Sequence, residues 1–466
     1  MNQTYFHNLK STVIDNNYCI GCGACEFINS DKYKIKLTSK GMYNAHVVDE
    51  SIVTGLNAEK VCPFSNNSMN EDEISRQLYN DIDNHDHRIG KYIKCYAGHV
   101  SEGAFRENGS SGGFGKWLLT ELLNSDKVDY VIQVEPNKTK NKLFTYSIFQ
   151  KGDDLLRGAK SAYYPITMVD ALNFIKNNKG RYAITALPCF SKALRLLSTY
   201  DDELKSRIKV VLGVICGHLK STGFAESLAW QIGVTPEKLV DIEFRGKLSG
   251  KKANEKGVQG FNIDGSASEM VSSRSLVGGN WGHGLFKYKA CDYCDDIVGE
   301  TTDVSIGDAW LDEYVDDYKG ANIVIVRSKL IYGIIERAIK SGRLALDSIS
   351  KEKVIESQAG GIRHRREGLS YRLYLKRNSG DWVPPKRVKP QRLESPKRRE
   401  IYKLREKLRD ESHEKFLAAK ESGDLKKFLD EMNSLIYKYE AIYRPWWKSK
   451  IKSLLTKVGL LKYFQK

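Results

Sequence analysis

No apolar run in these 466 residues approaches the roughly 20 needed to span a bilayer, so a membrane-crossing helix is not expected. The opening residues lack the charged start, apolar stretch and small-residue cleavage site of a secretory leader. The nine cysteines are therefore read as reduced thiols in the cytoplasm, not as a disulfide framework. That compartment also suits the assembly of an oxygen-sensitive metal cluster. No internal repeat of solenoid length is present. No strict G-x-G-x-x-G opens a helix after a strand, which argues against an ordinary Rossmann dinucleotide site. Acidic residues are in deficit: 58 Asp and Glu against 74 Lys and Arg leave a formal net charge of +16, which predicts an anionic partner. Much of the excess lies after residue 360, in Arg363-His364-Arg365-Arg366, Lys386-Arg387 and Lys397-Arg398-Arg399. It is assigned to an appendage and not to the active site. No nucleic-acid motif accompanies it, so nucleic acid is not expected as a partner.

What the chain does have is a concentrated set of thiols. Cys19, Cys22 and Cys25 occupy the run C-I-G-C-G-A-C, and Cys62 stands directly before Pro63. Three thiolates spaced C-x2-C-x2-C on one Gly-containing loop can reach three corners of an iron–sulfur cube, and a distant Cys-Pro supplies the fourth. Zinc or free thiols are the alternatives. Asn29 stands where a two-cluster ferredoxin places its next ligand, so one 4Fe–4S cluster is predicted at this end.

Residues 10–68 are read as this ferredoxin-type module. Residues 70–90 are polar and charged, a linker or an exposed helix. From about 92 to 345, short β-branched runs (128–134, 181–187, 209–215 and 321–326) alternate with helical spacing, as in 190–200. This predicts an α/β domain with a substantially parallel sheet. Residues 385–466 form a basic helical extension. Its last segment, 444–466, contains no acidic residue and mixes Trp446, Trp447 and several leucines with lysines. That segment can lie on an anionic membrane surface or pack as an ordinary terminal helix.

Four more cysteines fall in the α/β region. Cys189 follows the strand 181–187 and Cys216 follows the strand 209–215. A helix joins these strands, so they form a parallel βαβ unit whose carboxyl ends share one edge. Ligands of open α/β sheets gather in the crevice at that edge. Cys291 and Cys294, a C-x2-C pair, complete a four-thiolate set for a second 4Fe–4S cluster. A zinc site, a redox-active Cys291/Cys294 pair and buried small hydrophobes are the alternatives. Cys95 has no nearby partner and is read as a packed structural thiol.

The run Asn108 to Gly115, with Ser111-Gly112-Gly113 at its centre, leads into an apolar helix. Its glycines and helix start can cradle an anion; a flexible loop with a Ser cap is the alternative. Lys160-Ser161-Ala162-Tyr163 and Phe244-Arg245-Gly246-Lys247 add cations and aromatics for phosphates or a ring. Clusters pass electrons singly and a flavin joins that regime to hydride chemistry, so a flavin is expected. His218 and His283 are candidate proton donors; lone histidines are otherwise structural.

Over residues 15–345 this constellation resembles the coenzyme F420 hydrogenase/dehydrogenase beta subunit family. The resemblance rests on the Cys19/Cys22/Cys25/Cys62 module, Ser111-Gly112-Gly113, Lys160 to Tyr163, Leu187-Pro188-Cys189, Gly213 to Gly217, Phe244 to Lys247 and Cys291-x2-Cys294. It implies FAD held without a Rossmann fingerprint, iron–sulfur clusters feeding it, and exchange with a deazaflavin or an organic substrate. Phe190 stands where the family often has Gln, and the basic tail matches nothing in the hydrogenase subunits. The favoured expectation is therefore a stand-alone reductase. Ferredoxin or a similar donor would feed two 4Fe–4S clusters and FAD, and an organic small molecule would be reduced in surface-polysaccharide biosynthesis. A deazaflavin-linked beta subunit of a hydrogenase or dehydrogenase complex is the second expectation.

Overall fold

The structure, a computed structural model, describes residues 9–52, 57–139, 142–158 and 160–443. The basic segment 444–466, read either as lying on an anionic membrane surface or as packing as a terminal helix, lies outside the described residues. The β-branched runs become neighbouring strands of one eight-stranded sheet. Its order is Leu344–Ile349, Lys94–Val100, Asn322–Val326, Val304–Asp308, Ile208–Val214, Tyr182–Ala186, Tyr130–Thr139 and Lys142–Gln150. The four strands from Val304–Asp308 to Tyr130–Thr139 are mutually parallel, with Leu212 opposite Val304, Val211 opposite Ile184, and Ile184 opposite Ile132. Both flanks turn antiparallel; the connection from Tyr130–Thr139 to Lys142–Gln150 is of hairpin length, too short for a parallel crossover.

The crossover from Tyr182–Ala186 to Ile208–Val214 begins with helix Pro188–Leu197, where Pro188 takes the first turn and needs no N–H partner. Phe190, Ala193, Leu194, Leu196 and Leu197 are all buried. They form one core with Ile20, Ala24, Val61 and Phe64 of the N-terminal module. The module itself contributes a hairpin, Tyr33–Leu37 with Tyr43–Val47, and two short helices, Ala24–Ile28 and Asn57–Val61. Residues 70–90 contain a helix, Glu71–Leu78, with a reciprocal Asn70/Glu73 capping box. It is not an exposed element: Ile74 is buried, and Glu71 is buried in ion pairs with Lys192 (3.3 Å) and Arg387 (3.5 Å).

The assignment of the basic residues after 360 to an appendage is overturned. Arg365 is 3% exposed. Lys386 reaches Asp295 at 3.6 Å, and Arg387 forks onto Glu300 at 2.7 and 2.9 Å while touching Asp72 at 2.8 Å. Helix Pro396–Ser422 sends Arg409 to the fully buried Asp292, which also takes Lys287 at 2.5 Å. With Leu425–Ala441 this helix closes an apolar core in which Phe416, Phe428 and Met432 meet Phe224 and Phe286. The acidic partners lie up to about three hundred residues away in sequence, so a local charge run gives no hint of them.

Removing Arg387 (Arg387→Met) leaves Glu300, Glu71 and Asp295 buried without their shared cation, a loss expected to cost about 3–5 kcal/mol at neutral pH. Burial alone would raise the Asp295 carboxyl, but Lys386 and Arg387 outweigh it and hold it low. Its stabilising share is thus present above the ordinary carboxylate range and is lost as pH falls. In the variant burial prevails, so the deficit should narrow between neutral pH and about pH 4–5. Urea unfolding at the two pH values measures this; a deficit independent of pH contradicts it.

Candidate functional site

Cys19, Cys22 and Cys25 sit on a loop that needs two left-handed glycines, Gly21 (φ +65°) and Gly23 (φ +94°). A Cβ at Gly21 would come within 2.4 Å of Tyr43 Cβ, so the loop lies flat on the neighbouring hairpin. The N–H groups of Gly21 (3.4 Å) and Ala45 (3.3 Å) donate to Cys19 Sγ. Cys62 follows helix Asn57–Val61. Burial pushes its thiol up to about 12. The Cys22 and Cys25 thiols rise as well, first by burial and then through the other thiols of the same four.

The second four assemble at the sheet edge. Cys189 is the second residue of helix Pro188–Leu197, and Cys216 lies two residues past strand Ile208–Val214. The two strands are adjacent and parallel, with Ala186 opposite Gly213. Cys291 belongs to the 3-10 turn Lys289–Tyr293 and Cys294 ends it; Leu219 N–H donates to Cys291 Sγ at 3.2 Å. The Cys189 thiol is raised by burial, then by Cys294, Cys216 and Cys291, and finally by Cys22 of the first set. Cys22 is buried in a core against which Cys189 packs, and the two sets adjoin there. Cys95 belongs to neither; it is 2% exposed within strand Lys94–Val100.

Eight thiols, Cys22 and Cys291 buried and the other six partly so, in two groups that repel one another as they ionise suit metal centres, whose positive charge relieves both penalties. Among the described residues no three His, Cys, Asp or Glu side chains converge on a single ion. A cube offers each of four thiolates its own iron. A positive group also stands beside the second set: the Arg365 guanidinium is buried there and its Nε has no hydrogen-bond partner. The donor sets fit iron–sulfur clusters.

A cavity of about 1200 Å³ lies at the carboxyl ends of the parallel strands, with Cys216 in its wall. Ser111, Gly113, Lys160 and Ser161 line it, as do Tyr163, Phe244 and Arg245. Gly112 and Lys247 do not; they support the loop from behind. A Cβ on Gly112 would meet Asn322 Oδ1 and Gly98 O at 2.7 Å, and Lys247 Nζ donates to Arg106 O and, at 3.4 Å, to Ser111 O. Helix Phe114–Asn124 starts at the cavity without a side-chain cap of its own. Asn322 Oδ1, from a sheet strand, accepts the Phe114 N–H at 3.1 Å, so the Ser-capped flexible loop is not what forms. Ser111 Oγ donates to Ala321 O at 2.7 Å.

Two of the expected phosphate cations already have carboxylates. Lys160 pairs with Glu243 at 2.8 Å. Arg245 forks onto Asp308 at 2.7 and 2.8 Å. A cation that the sequence reading missed, Lys256, is 6% exposed in the cavity wall, and its Nζ has no hydrogen-bond partner among the described residues. Burial, then Arg245, lowers its amine to about 8. His218 stacks on Trp281 at 4.5 Å, and burial drives it far below its ordinary value, so the ring is neutral. His283 is 5% exposed and faces Glu440 at 3.4 Å, and burial lowers it also. Phe190 lines the cavity in place of the expected glutamine. Trp281 and Arg365 also went unrecognised. For Arg365 a signal exists: Gly361 and Gly368 lie four residues before and three after it, on the same helical face, and glycines there permit a close approach.

Among the described residues no helix is long and apolar enough to cross a membrane. An uncharacterized protein of Methanocaldococcus jannaschii, MJ1349, is 23% identical over 375 residues, covering 73% of this chain and 92% of that protein. A chain in the structure titled as a xenon derivatization of the F420-reducing nickel–iron hydrogenase complex from Methanosarcina barkeri aligns with a TM-score of 0.49 and 14% identity. The alignment covers 65% of this chain and 99% of that one. The family model for the N-terminal part of the coenzyme F420 hydrogenase/dehydrogenase beta subunit matches residues 95–173, and the model for its C terminus matches residues 179–352. Together these matches span more than half of the chain, which belongs to the coenzyme F420 hydrogenase/dehydrogenase beta subunit family.

Proposed function

We propose that this chain is an iron–sulfur flavoprotein that carries electrons between a redox partner protein and a deazaflavin of the coenzyme F420 type, as a beta subunit of a larger complex. Family membership supports this better than the stand-alone reductase of polysaccharide precursors that the sequence favoured. The objection drawn from a basic appendage also loses its force, because those residues are built into the fold around the thiols. The observation that carries the reading is continuity: the first thiol set adjoins the second at the core shared by Cys22 and Cys189, and Cys216 of the second opens on the cavity.

In this reading residues 10–68 receive electrons, residues 92–345 hold the second centre and FAD, and residues 385–443 wall the cavity. Clusters supply single-electron transfer, and a flavin couples it to hydride chemistry. Lys256 offers its unpaired ammonium to a phosphate, in the cavity that the start of helix Phe114–Asn124 also lines. Tyr163, packed edge-on against Trp281 at a centroid separation of 4.6 Å and tilted against Phe244 at 5.3 Å, forms with them an apolar wall for a ring system. Phe190 keeps water from the space between Cys189 and the cavity, and neutral His218 presents a ring N–H without adding charge.

Anaerobically purified protein should contain about eight irons per chain, matching sulfide, and one FAD. The Cys291→Ala variant should fall to about four irons and keep its flavin; unchanged iron rejects the second centre. Reduced coenzyme F420 should bleach the bound flavin in stopped-flow absorbance, and a flavin that responds only to dithionite argues against deazaflavin use. Lys256→Met should raise the urea stability of ligand-free protein by about 1–3 kcal/mol, because an unsatisfied buried ammonium is lost. It should also weaken FAD retention, measured as flavin lost on dialysis; equal retention removes Lys256 from the phosphate site.

A further inference from the structure

Arg365 is held unlike every cation around it. Helix Ala359–Arg363 runs into a π-helical turn, His364–Gly368, before continuing as Leu369–Ser379. Such turns insert one residue and re-aim a side chain. Gly361 lets this helix press onto the loop after Cys294, since a Cβ there would fall 2.0 Å from Ile297 Cδ1. The guanidinium thereby enters the second thiol set. Nη2 donates to Cys216 O at 2.8 Å and also to Gly217 O, and Nε is buried with no partner. The charges that act on it most are the thiols of Cys294, Cys216 and Cys291.

No carboxylate among the described residues lies within ion-pair distance of Arg365. Its neighbours differ. Arg366 has Glu300 at 3.8 Å, Arg372 has Asp292 at 3.9 Å and Lys386 has Asp295 at 3.6 Å. Lys192, which acts on Cys62 of the first set, has Glu71 at 3.3 Å. Lys220 also lacks a carboxylate, but its Nζ donates to Leu285 O at 2.5 Å and faces the rings of Phe224 and Trp281. An amine can shed its proton on burial, whereas a guanidinium cannot. A fixed charge 97% removed from water is costly without full hydrogen bonding or a compensating negative charge. The thiolates of a bound cluster supply it.

We propose that Arg365 is the built-in counter-ion of the centre held by Cys189, Cys216, Cys291 and Cys294, and that it keeps this centre at a higher reduction potential than the centre held by Cys19, Cys22, Cys25 and Cys62. Reduction adds one negative charge to a cluster, and an unpaired cation in contact with it stabilises the reduced form. Among the described residues the first set has no such cation; Lys192 is already neutralised by Glu71. One electron therefore passes downhill from the first centre, which is oxidised, to the second, which is reduced, with no bond made or broken. The inference rests on the two-cluster reading above and adds a direction of flow to it.

The test is a redox titration of the anaerobic holoprotein followed by electron paramagnetic resonance, with iron counted on each sample. The native protein should show two midpoints, and the higher should vanish in Cys291→Ala. In Arg365→Gln the higher midpoint alone should fall, by at least a tenfold change in reduced-to-oxidised ratio at fixed potential, which is about 59 mV for one electron. Arg365→Lys, which keeps the charge, should preserve the order of the two midpoints. Two unchanged midpoints in an iron-replete Arg365→Gln protein overturn the proposal. So does a native second centre lying below the first. Should Arg365→Gln lose iron, the Arg365→Lys order decides, and a reversed order again overturns it. A native protein without iron fails the two-cluster reading itself, an outcome distinct from a wrong order of midpoints.

Discussion

A buried carboxylate must meet positive charge, accept several N–H groups or take up a proton, and the architecture of this protein follows from that constraint applied to one short loop. Directly after and between Cys291 and Cys294 come Asp292, Asp295, Asp296 and Glu300, none more than 3% exposed. Asp292 draws in Lys287, His364 and Arg409. Asp295 and Glu300 draw in Lys386 and Arg387. Asp296 has no cation of its own. It accepts the N–H groups of Val298, Gly299 and Glu300 at 2.8–2.9 Å, and burial, with Glu300 next, raises its carboxyl to about 7. Basic residues between 364 and 409 are thereby drawn around the thiol loop and are paired inside the molecule.

The same constraint explains what could be read from the sequence. Runs of Val, Ile and Leu identify central strands because a doubly covered parallel strand must be apolar throughout. The strands near 130, 182, 208 and 322 were accordingly legible, and so was the shared edge of Cys189 and Cys216. The antiparallel flank Lys94–Val100 and Leu344–Ile349 was not, since its polar residues break the pattern. The loop Ser111-Gly112-Gly113 was legible as a site, but the division of labour within it was not. Ser111 and Gly113 face the cavity, whereas Gly112 is a steric necessity against Asn322 and Gly98. That distinction depends on a neighbour two hundred residues away.

Cations were the least legible part, because a lysine or arginine in a sequence does not announce its partner. The structure separates them by pairing. Lys160 and Arg245, expected to hold phosphates, are paired with Glu243 and Asp308 and so stiffen the cavity wall. Lys256 and Arg365, which no motif marked, are buried without a carboxylate in reach. A paired cation has already recovered its desolvation cost from the fold, and its carboxylate screens it from any ligand. An unpaired one destabilises the empty protein and recovers that cost only when a negative group arrives. Lys220 and Arg327 are likewise buried without a carboxylate among the described residues and donate to Leu285 O and to Ser305 Oγ and Ile89 O; on this criterion Lys256, with no partner in the cavity wall, and Arg365, against the thiols, mark where negative charge belongs. They bracket the route along which electrons would travel, and the paired residues hold that route in shape.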